Sequence, residues 1–278
     1  MPVLDFHLHV GTRHQWTPGV MSYFAKMNPE YTRDMSEEIT PEAVIAYLDS
    51  QAVDKAVMLS EYAPKTTGVV TNEFTVGFCS GTDRLIPFGS VSLHEGAEPA
   101  VQAEHCIKAL GCRGLKLLPT YVHFYPDDPR LLPVYEVASA LEAPVMFHTG
   151  TSIFRGSRVR YGDPLLLDDV AEDFPSLKVV MCHGGRPFWY AQAEWMLRRH
   201  ENTYIDISGI PPSRLPSAFP HLEKFRDRFV FGSDWPGIPS IAEQIRKIEE
   251  LPFGPDTIEA ILWRNGSHLL GIDLDQVS

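Results

Sequence analysis

Cysteine is scarce in this chain, and so is positive charge. The four cysteines, Cys79, Cys106, Cys112 and Cys182, are spread over 278 residues without a Cys-x-x-Cys pair, too few for a disulfide framework. They read as reduced thiols filling the core; at Cys182, beside a histidine in an apolar run, a nucleophile is the alternative. Lysine and arginine number 24 against 36 aspartates and glutamates, a net charge of −12, and the acidic residues lie in short pairs such as Asp127-Asp128 and Asp168-Asp169. Such a surface has no electrostatic footprint for phosphate backbones, which argues against nucleic acid. No apolar run approaches the roughly 18 residues of a membrane span, and the opening Met-Pro-Val-Leu-Asp has no basic segment leading into an apolar one. The expectation is a cytoplasmic protein without a membrane partner. No Gly-x-Gly-x-x-Gly follows the first strand-like run either, which removes the main support for a dinucleotide-binding fold.

What is there suffices for a large core: 44% of residues are hydrophobic and 22% charged, near the soluble globular average. Short apolar runs at residues 3–10, 54–60, 85–93, 113–119, 144–150, 178–184, 203–208 and 229–235 alternate with amphipathic stretches. Start signals precede several of the latter: Thr40-Pro41-Glu42, Asp128-Pro129, Asp163-Pro164 and Pro239-Ser240. Eight strands alternating with helices predict an α/β fold, a single-domain (β/α)8 barrel using residues 1–278 as one unit. A closing helix over residues 256–271 packs Trp263, Leu269 and Leu270 on the barrel. Residues 11–39 and 150–163 break the rhythm after the first and fifth strands, where substrate-covering loops sit.

Polar residues interrupt the apolar runs at telling places. His7 and His9, two apart, share one face of the first strand, which in a barrel is the interior. His148 falls near the end of the fifth strand, His183 near the end of the sixth and Asp234 near the end of the eighth, all on the rim where barrel active sites lie. One such histidine alone reads as a satisfied core residue. Four imidazoles and a carboxylate together read as a site for a borderline divalent ion, zinc first and manganese second.

Asp5-Phe-His-Leu-His-Val10, Met146-Phe-His-Thr-Gly150, Met181-Cys-His-Gly-Gly185 and Phe231-Gly-Ser-Asp-Trp-Pro236 resemble the amidohydrolase superfamily. The likeness is to the amidohydrolase-related branch containing aminocarboxymuconate-semialdehyde decarboxylase-like enzymes, and with Ile261–Ile272 it covers essentially the whole chain. The resemblance implies that His7, His9 and His148 hold the principal metal, with Asp234 completing the set and serving as general base toward bound water. His183 is implied as ligand of a second metal, or as the residue that orients or deprotonates the water. Relatives of that branch commonly dimerise, so by analogy alone a homodimer is one expectation.

Lys116, in Gly-Leu-Lys-Leu-Leu-Pro, is open to three readings. Binuclear relatives carry a carboxylated lysine there that bridges two metals; an ammonium would instead hold a substrate carboxylate; a lysine snorkelling out of the rim is the third. Relatives with a similar motif often place a histidine where this chain has Leu118. Arg155, Arg158 and Arg160 follow the fifth strand and Arg186 follows His183, so a carboxylate or other anion is the expected ligand, Arg186 being the best single candidate. The alternatives are a solvated loop pairing with Asp163, Asp168 and Asp169, and an ion pair from Arg186 to Asp206. Trp16, Tyr23, Tyr121, His123, Trp189 and Trp235 are candidates for the pocket wall.

These readings converge on a metal-dependent hydrolase that cleaves an amide, ester or lactone-type bond of a small anionic molecule. The runner-up is a non-oxidative decarboxylase of an aromatic or unsaturated acid at the same site. A carboxylated Lys116 and two metals point to the first; one metal, an ammonium and an arginine-lined aromatic pocket point to the second. A barrel that has lost catalysis and only binds is the third class, against which the intact histidines and Asp234 argue.

Overall fold

The computed structural model describes residues 1–35, 38–94 and 96–272, so residues 36 and 37 of the first long loop lie outside it. Ten strands are found among them: β1 (Leu4–His9), β2 (Lys55–Leu59), β3 (Glu61–Ala63), β4 (Gly68–Val70), β5 (Leu85–Phe88), β6 (Leu115–Leu117), β7 (Val145–His148), β8 (Val179–Cys182), β9 (Thr203–Asp206) and β10 (Phe229–Val230). β1-β2-β5 and β6-β7-β8-β9-β10 pair in parallel. Two sets of backbone bonds close the ring. Gly89 N donates to Gly114 O and Lys116 N to Gly89 O, at 2.9 and 2.7 Å, while Phe6 N donates to Phe231 O and His9 N to Trp235 O, both at 2.8 Å. The molecule is the expected α/β parallel barrel, each expected strand run containing one shorter barrel strand.

Alternation along these strands sorts side chains into two layers. Leu4, Phe6, Val57, Leu59, Ile86, Phe88, Met146, Val180, Cys182 and Val230 form one buried cluster inside the barrel, joined by Trp263, Leu269 and Leu270. The expected closing helix runs from Pro255 to Leu270 through a π-turn at Ala260–Arg264 and plugs the barrel bottom. Gly266 lies so near Leu4 that a Cβ there would sit 2.8 Å from Leu4 Cδ2. Ala56, Met58, Leu115, Val145, Phe147, Val179 and Met181 face outward into the helical layer.

In β1 the register slips between Asp5 and Leu8. Across this irregularity the inward-facing set passes from Leu4 and Phe6, in the apolar floor, to His7 and His9, which line the cavity above it. Asp5 holds the slip in place: its Oδ1 accepts from His7 N (3.1 Å) and Ser233 N (2.9 Å). Full burial pushes this carboxyl up to about 7.

Of the expected helix starts, Thr40 accepts from Ala43 N at 3.2 Å and Asp163 from Leu165 N at 3.0 Å. Asp128 instead accepts from Arg130, and Ser240 has a left-handed φ of 61° and no capping bond. The first long loop contains the helix Pro18–Met27, and a hairpin of β3 and β4 is inserted after β2. No helix among the described residues is long and apolar enough to cross a membrane.

Asp5→Ala leaves two buried N–H groups without an acceptor, at about 1–3 kcal/mol each. Urea unfolding should therefore show a loss of about 2–6 kcal/mol. A loss below about 1 kcal/mol would show that the clasp contributes little.

Candidate metal and active site

At the C-terminal end of the barrel lies a cavity of ≈ 380 Å³ lined by His7, His9, Lys116, Tyr121, His148, His183, Arg186 and Asp234. Its outer walls come from the two expected covering loops: Trp16, Val20, Tyr23, Phe24 and Met27 from the first, Thr151–Phe154 from the second. Glu61, Thr67, Leu118, Gly209, Gly237 and Ile238 complete the lining.

The backbone sets the ligand side chains. His7 and His9 leave β1 on the inner face, and Asp234 N donates to His7 O at 3.0 Å, tethering the segment after β10 beside them. His7, His9 and Asp234 offer ligand atoms within 4.8 Å of one another. Asp234 Oδ1 is 3.7 Å from His7 Nε2 and 3.5 Å from His9 Nε2, and the two Nε2 atoms are 3.1 Å apart. Asp234 and His183 both take left-handed backbone conformations, at φ 62° and 64°. After His183, Gly184 and Gly185 also have positive φ, and a Cβ on Gly184 would meet Phe219 at 2.7 Å. Glycine lets the chain turn here while the imidazole stays in the mouth.

Hydrogen bonds fix the imidazoles. His7 Nδ1–H donates to Asp206 Oδ2 at 2.5 Å, and Asp206 is held by Ser208 N (2.8 Å) and Ser208 Oγ (2.9 Å). His183 Nδ1–H donates to Ser208 O at 2.9 Å. Both rings therefore turn Nε2 lone pairs toward the cavity. His148 packs 4.7 Å from His183 and 4.6 Å from Tyr121, ring centre to ring centre, and its buried Nε2 has no hydrogen-bond partner.

Burial pushes His7, His148 and His183 well below the usual imidazole range, and the Lys116 and Arg186 cations push the same way. Burial works in the other direction on Asp234, but the close approach of His9 and the nearby His7 and Arg186 outweigh it and hold the carboxyl below its usual range. Neutral imidazoles with free lone pairs converging on a carboxylate are the donor set of a divalent ion, and facing lone pairs and an unpartnered buried nitrogen are what such an ion would satisfy. The residues fit a metal.

Lys116 does not snorkel. It is 1% exposed, and its Nζ points inward, 3.0 Å from Cys182 Sγ and 3.3 Å from His7 Nε2. Cys182 is fully buried and its thiol is pushed up to about 12, chiefly by burial, so it stays protonated and is no nucleophile.

Arg186 lines the cavity and donates Nη1 to Gly209 O at 2.7 Å. The alternative, an ion pair with Asp206, is not formed: Asp206 is bonded by His7 and Ser208. Arg155 and Arg158 are exposed and absent from the lining, and Arg160 lies over the Tyr161 ring instead. The second loop turns its Thr151–Phe154 segment inward and its arginines to solvent, so the mouth has Arg186 as its arginine. Tyr121, Trp16 and Tyr23 are in the wall. His123, Trp189 and Trp235 are not. Trp235 is 1% exposed and stacks on Tyr47 at 5.1 Å, outside the barrel: its backbone bridges Leu8, and both side chains lie in the outer layer.

Three polar residues of the site lie beyond the sequence reading: Ser208, Glu61 and Thr67. Glu61 Oε2 is 3.4 Å from His9 Nδ1 and its Oε1 accepts from Thr67 Oγ1. The readable signal was a carboxylate directly after an apolar run, at Leu59-Ser60-Glu61.

Comparison with known proteins fits this geometry. A relative from Dictyostelium discoideum, 2-amino-3-carboxymuconate-6-semialdehyde decarboxylase, is 25% identical over 224 residues, 68% of this chain and 62% of its own length. An uncharacterized TIM-barrel protein of Bordetella bronchiseptica superposes with a TM-score of 0.80 at 24% identity, covering 98% of this chain and 99% of that one. A probable 2-pyrone-4,6-dicarboxylic acid hydrolase of Acinetobacter baumannii (TM-score 0.70, 18% identity, 98% and 100%) and a manganese-bound dihydroxybenzoic acid decarboxylase of Polaromonas (0.71, 17%, 98% and 97%) share the fold. The amidohydrolase family model matches residues 4–272, nearly the whole chain; this protein belongs to the amidohydrolase family.

Proposed function

We propose that the protein is a divalent-metal-dependent enzyme that removes a carboxyl group, without oxidation, from a small unsaturated or aromatic acid. One observation carries this reading: Lys116 and Arg186 flank the ligand set beneath walls built largely of Trp16, Tyr23, Phe24, Tyr121 and Phe154. Two cations at the polar end of an aromatic slot suit a planar anion. The Dictyostelium relative, named as a decarboxylase of an unsaturated carboxylate, supports the same chemistry.

His7, His9, His148 and Asp234 would hold the ion. Bound there, it would supply Lewis-acid polarisation of a substrate oxygen; manganese or zinc both suit the nitrogen and oxygen donors. Arg186 keeps guanidinium N–H groups beyond its bond to Gly209 for a substrate carboxylate. Lys116 places a second positive charge at the floor. His183, its Nδ1–H held by Ser208 O, presents Nε2 as an acceptor that orients the substrate. Asp234, whose side chain is 21% exposed, can take a proton from solvent and pass it to the carbon losing its carboxyl group. The electron pair of the broken C–C bond stays on that carbon and takes the proton, and carbon dioxide leaves.

Hydrolysis of an amide, ester or lactone is the second reading. It is favoured by Asp234 and His183 both being placed as proton acceptors beside the ligand set, as activation of water requires.

Purified protein supplied with manganese or zinc, tested in D2O on unsaturated and aromatic acids beside lactones and N-acyl compounds, separates the two. The expected result is carbon dioxide release, with one deuterium at the carbon that bore the carboxyl group. Hydrolysis products without carbon dioxide would overturn decarboxylation in favour of the second reading. With the substrate so found, Arg186→Met should raise KM about 10- to 100-fold, whereas Arg155→Ala and Arg158→Ala leave it unchanged. Equal effects from all three would show that Arg186 has no special place.

His7→Ala should abolish stoichiometric metal, measured by mass spectrometry of the purified protein. Undiminished metal in that variant would remove His7 from the ligand set.

A further inference from the structure

His7 and His9 present the same nitrogen to the ligand set, yet their other nitrogens are backed by different parts of the chain. His7 is backed from within the barrel by Asp206 on β9. His9 is backed from outside it, by the inserted hairpin. Its buried Nδ1 has no hydrogen-bond partner at full geometry, and the carboxylate facing it is Glu61 Oε2, 3.4 Å away.

Glu61 is held firmly in that position. It is 3% exposed, its other oxygen accepts from Thr67 Oγ1 on the same hairpin, and Glu61 pairs with Val70 across β3 and β4. The hairpin is in turn strapped to the first covering loop. Thr17 N donates to Thr67 O at 2.9 Å and Thr17 Oγ1 to Thr66 O at 2.8 Å, and Trp16 bridges Gly68. Gly68, at φ 141°, is needed there because a Cβ would run into Gln15 O. Trp16 also meets the His9 ring edge to face at 6.3 Å. A buried carboxylate held by one hydroxyl is costly unless it faces a positive or donating group, and His9 Nδ1–H is such a group.

We propose that Glu61 is the positioning residue of His9: its carboxylate keeps the imidazole proton on Nδ1, so that Nε2 offers its lone pair to the metal. Thr67 aims the carboxylate, and the hairpin exists at this point of the chain to deliver the pair. The inference rests on the ligand set alone and holds whichever reaction the site performs. It also divides the histidines by origin: His7 is oriented by the barrel itself, His9 by an insertion that shares its strapping with the cavity wall.

The test begins with the full-length, metal-stripped protein. Long-range 1H–15N correlation spectra should show His9 protonated on Nδ1. In Glu61→Gln and Glu61→Leu the proton should redistribute toward Nε2. Metal affinity, by competition with a chromophoric chelator, should fall about 10- to 100-fold in both. The melting temperature of the metal-free Glu61→Leu protein should stay level or rise, since an apolar side chain of similar volume replaces a buried charge; a merely structural Glu61 predicts the opposite pattern, a lowered melting temperature with unchanged affinity. Thr67→Val, which keeps the carboxylate but removes its clamp, should lose affinity to an intermediate degree. The proposal is overturned by His9 protonated on Nε2 in the unsubstituted protein, a reading that needs no variant to fold, or by affinities within about twofold of the parent in both Glu61 variants.

Discussion

The bond from His7 Nδ1 to Asp206 Oδ2, 2.5 Å long and fully buried, shows the constraint under which the upper barrel is built. Deep in a closed barrel, an imidazole, carboxylate or ammonium is costly unless it finds a partner within reach. Asp206 is satisfied three times over, by His7 and by the backbone and hydroxyl of Ser208. The same serine's carbonyl fixes His183. His7, His9, His148, His183 and Asp234 all line one cavity, where the buried His148 Nε2 has no partner and the Nε2 atoms of His7 and His9 face each other at 3.1 Å. A cation belongs where partnerless lone pairs meet a carboxylate.

The apolar half of the barrel serves this arrangement. Below the site, Phe6, Phe88, Met146 and Val180 with the plugging Trp263 make a largely apolar layer, against which the charges above act at low dielectric. The register slip in β1 is the hinge between the halves, because it lets the strand's inward face change from floor to ligand. Asp5 and the tether from Asp234 N to His7 O tie that slip to the neighbouring segment after β10. Ligand geometry and barrel closure are thus one set of hydrogen bonds, and neither can be altered alone.

Much of this was legible in the sequence, and the reason is periodicity. Eight apolar runs announce eight strands, and histidines or an aspartate at their ends can only meet at one rim. Where periodicity stops, the reading fails. Arg155 and Arg158 stand in a loop that gives no rule for direction, and they face solvent. Trp235 misled through chain adjacency: after the left-handed turn at Asp234 its ring packs on Tyr47 outside the barrel. The hairpin carrying Glu61 and Thr67 is too short, three residues a strand, to register as a pattern, and its importance lies in a contact across sequence to His9 that only the fold discloses. Lys116 was readable as a candidate but not as to direction, since a strand lysine points in or out according to a register fixed by its neighbours.

The family supplies a barrel and a metal; the residues of this chain decide what the metal meets. Lys116, Arg186 and five aromatic rings line the cavity, and two loops form its outer walls. All of this presupposes an ion at one place. Anomalous difference maps from crystals grown with manganese or zinc, recorded on both sides of the metal's absorption edge, test that directly. The account predicts a peak bounded by His7 Nε2, His9 Nε2, His148 Nε2 and Asp234; no peak there, or a peak elsewhere in the barrel, would contradict it.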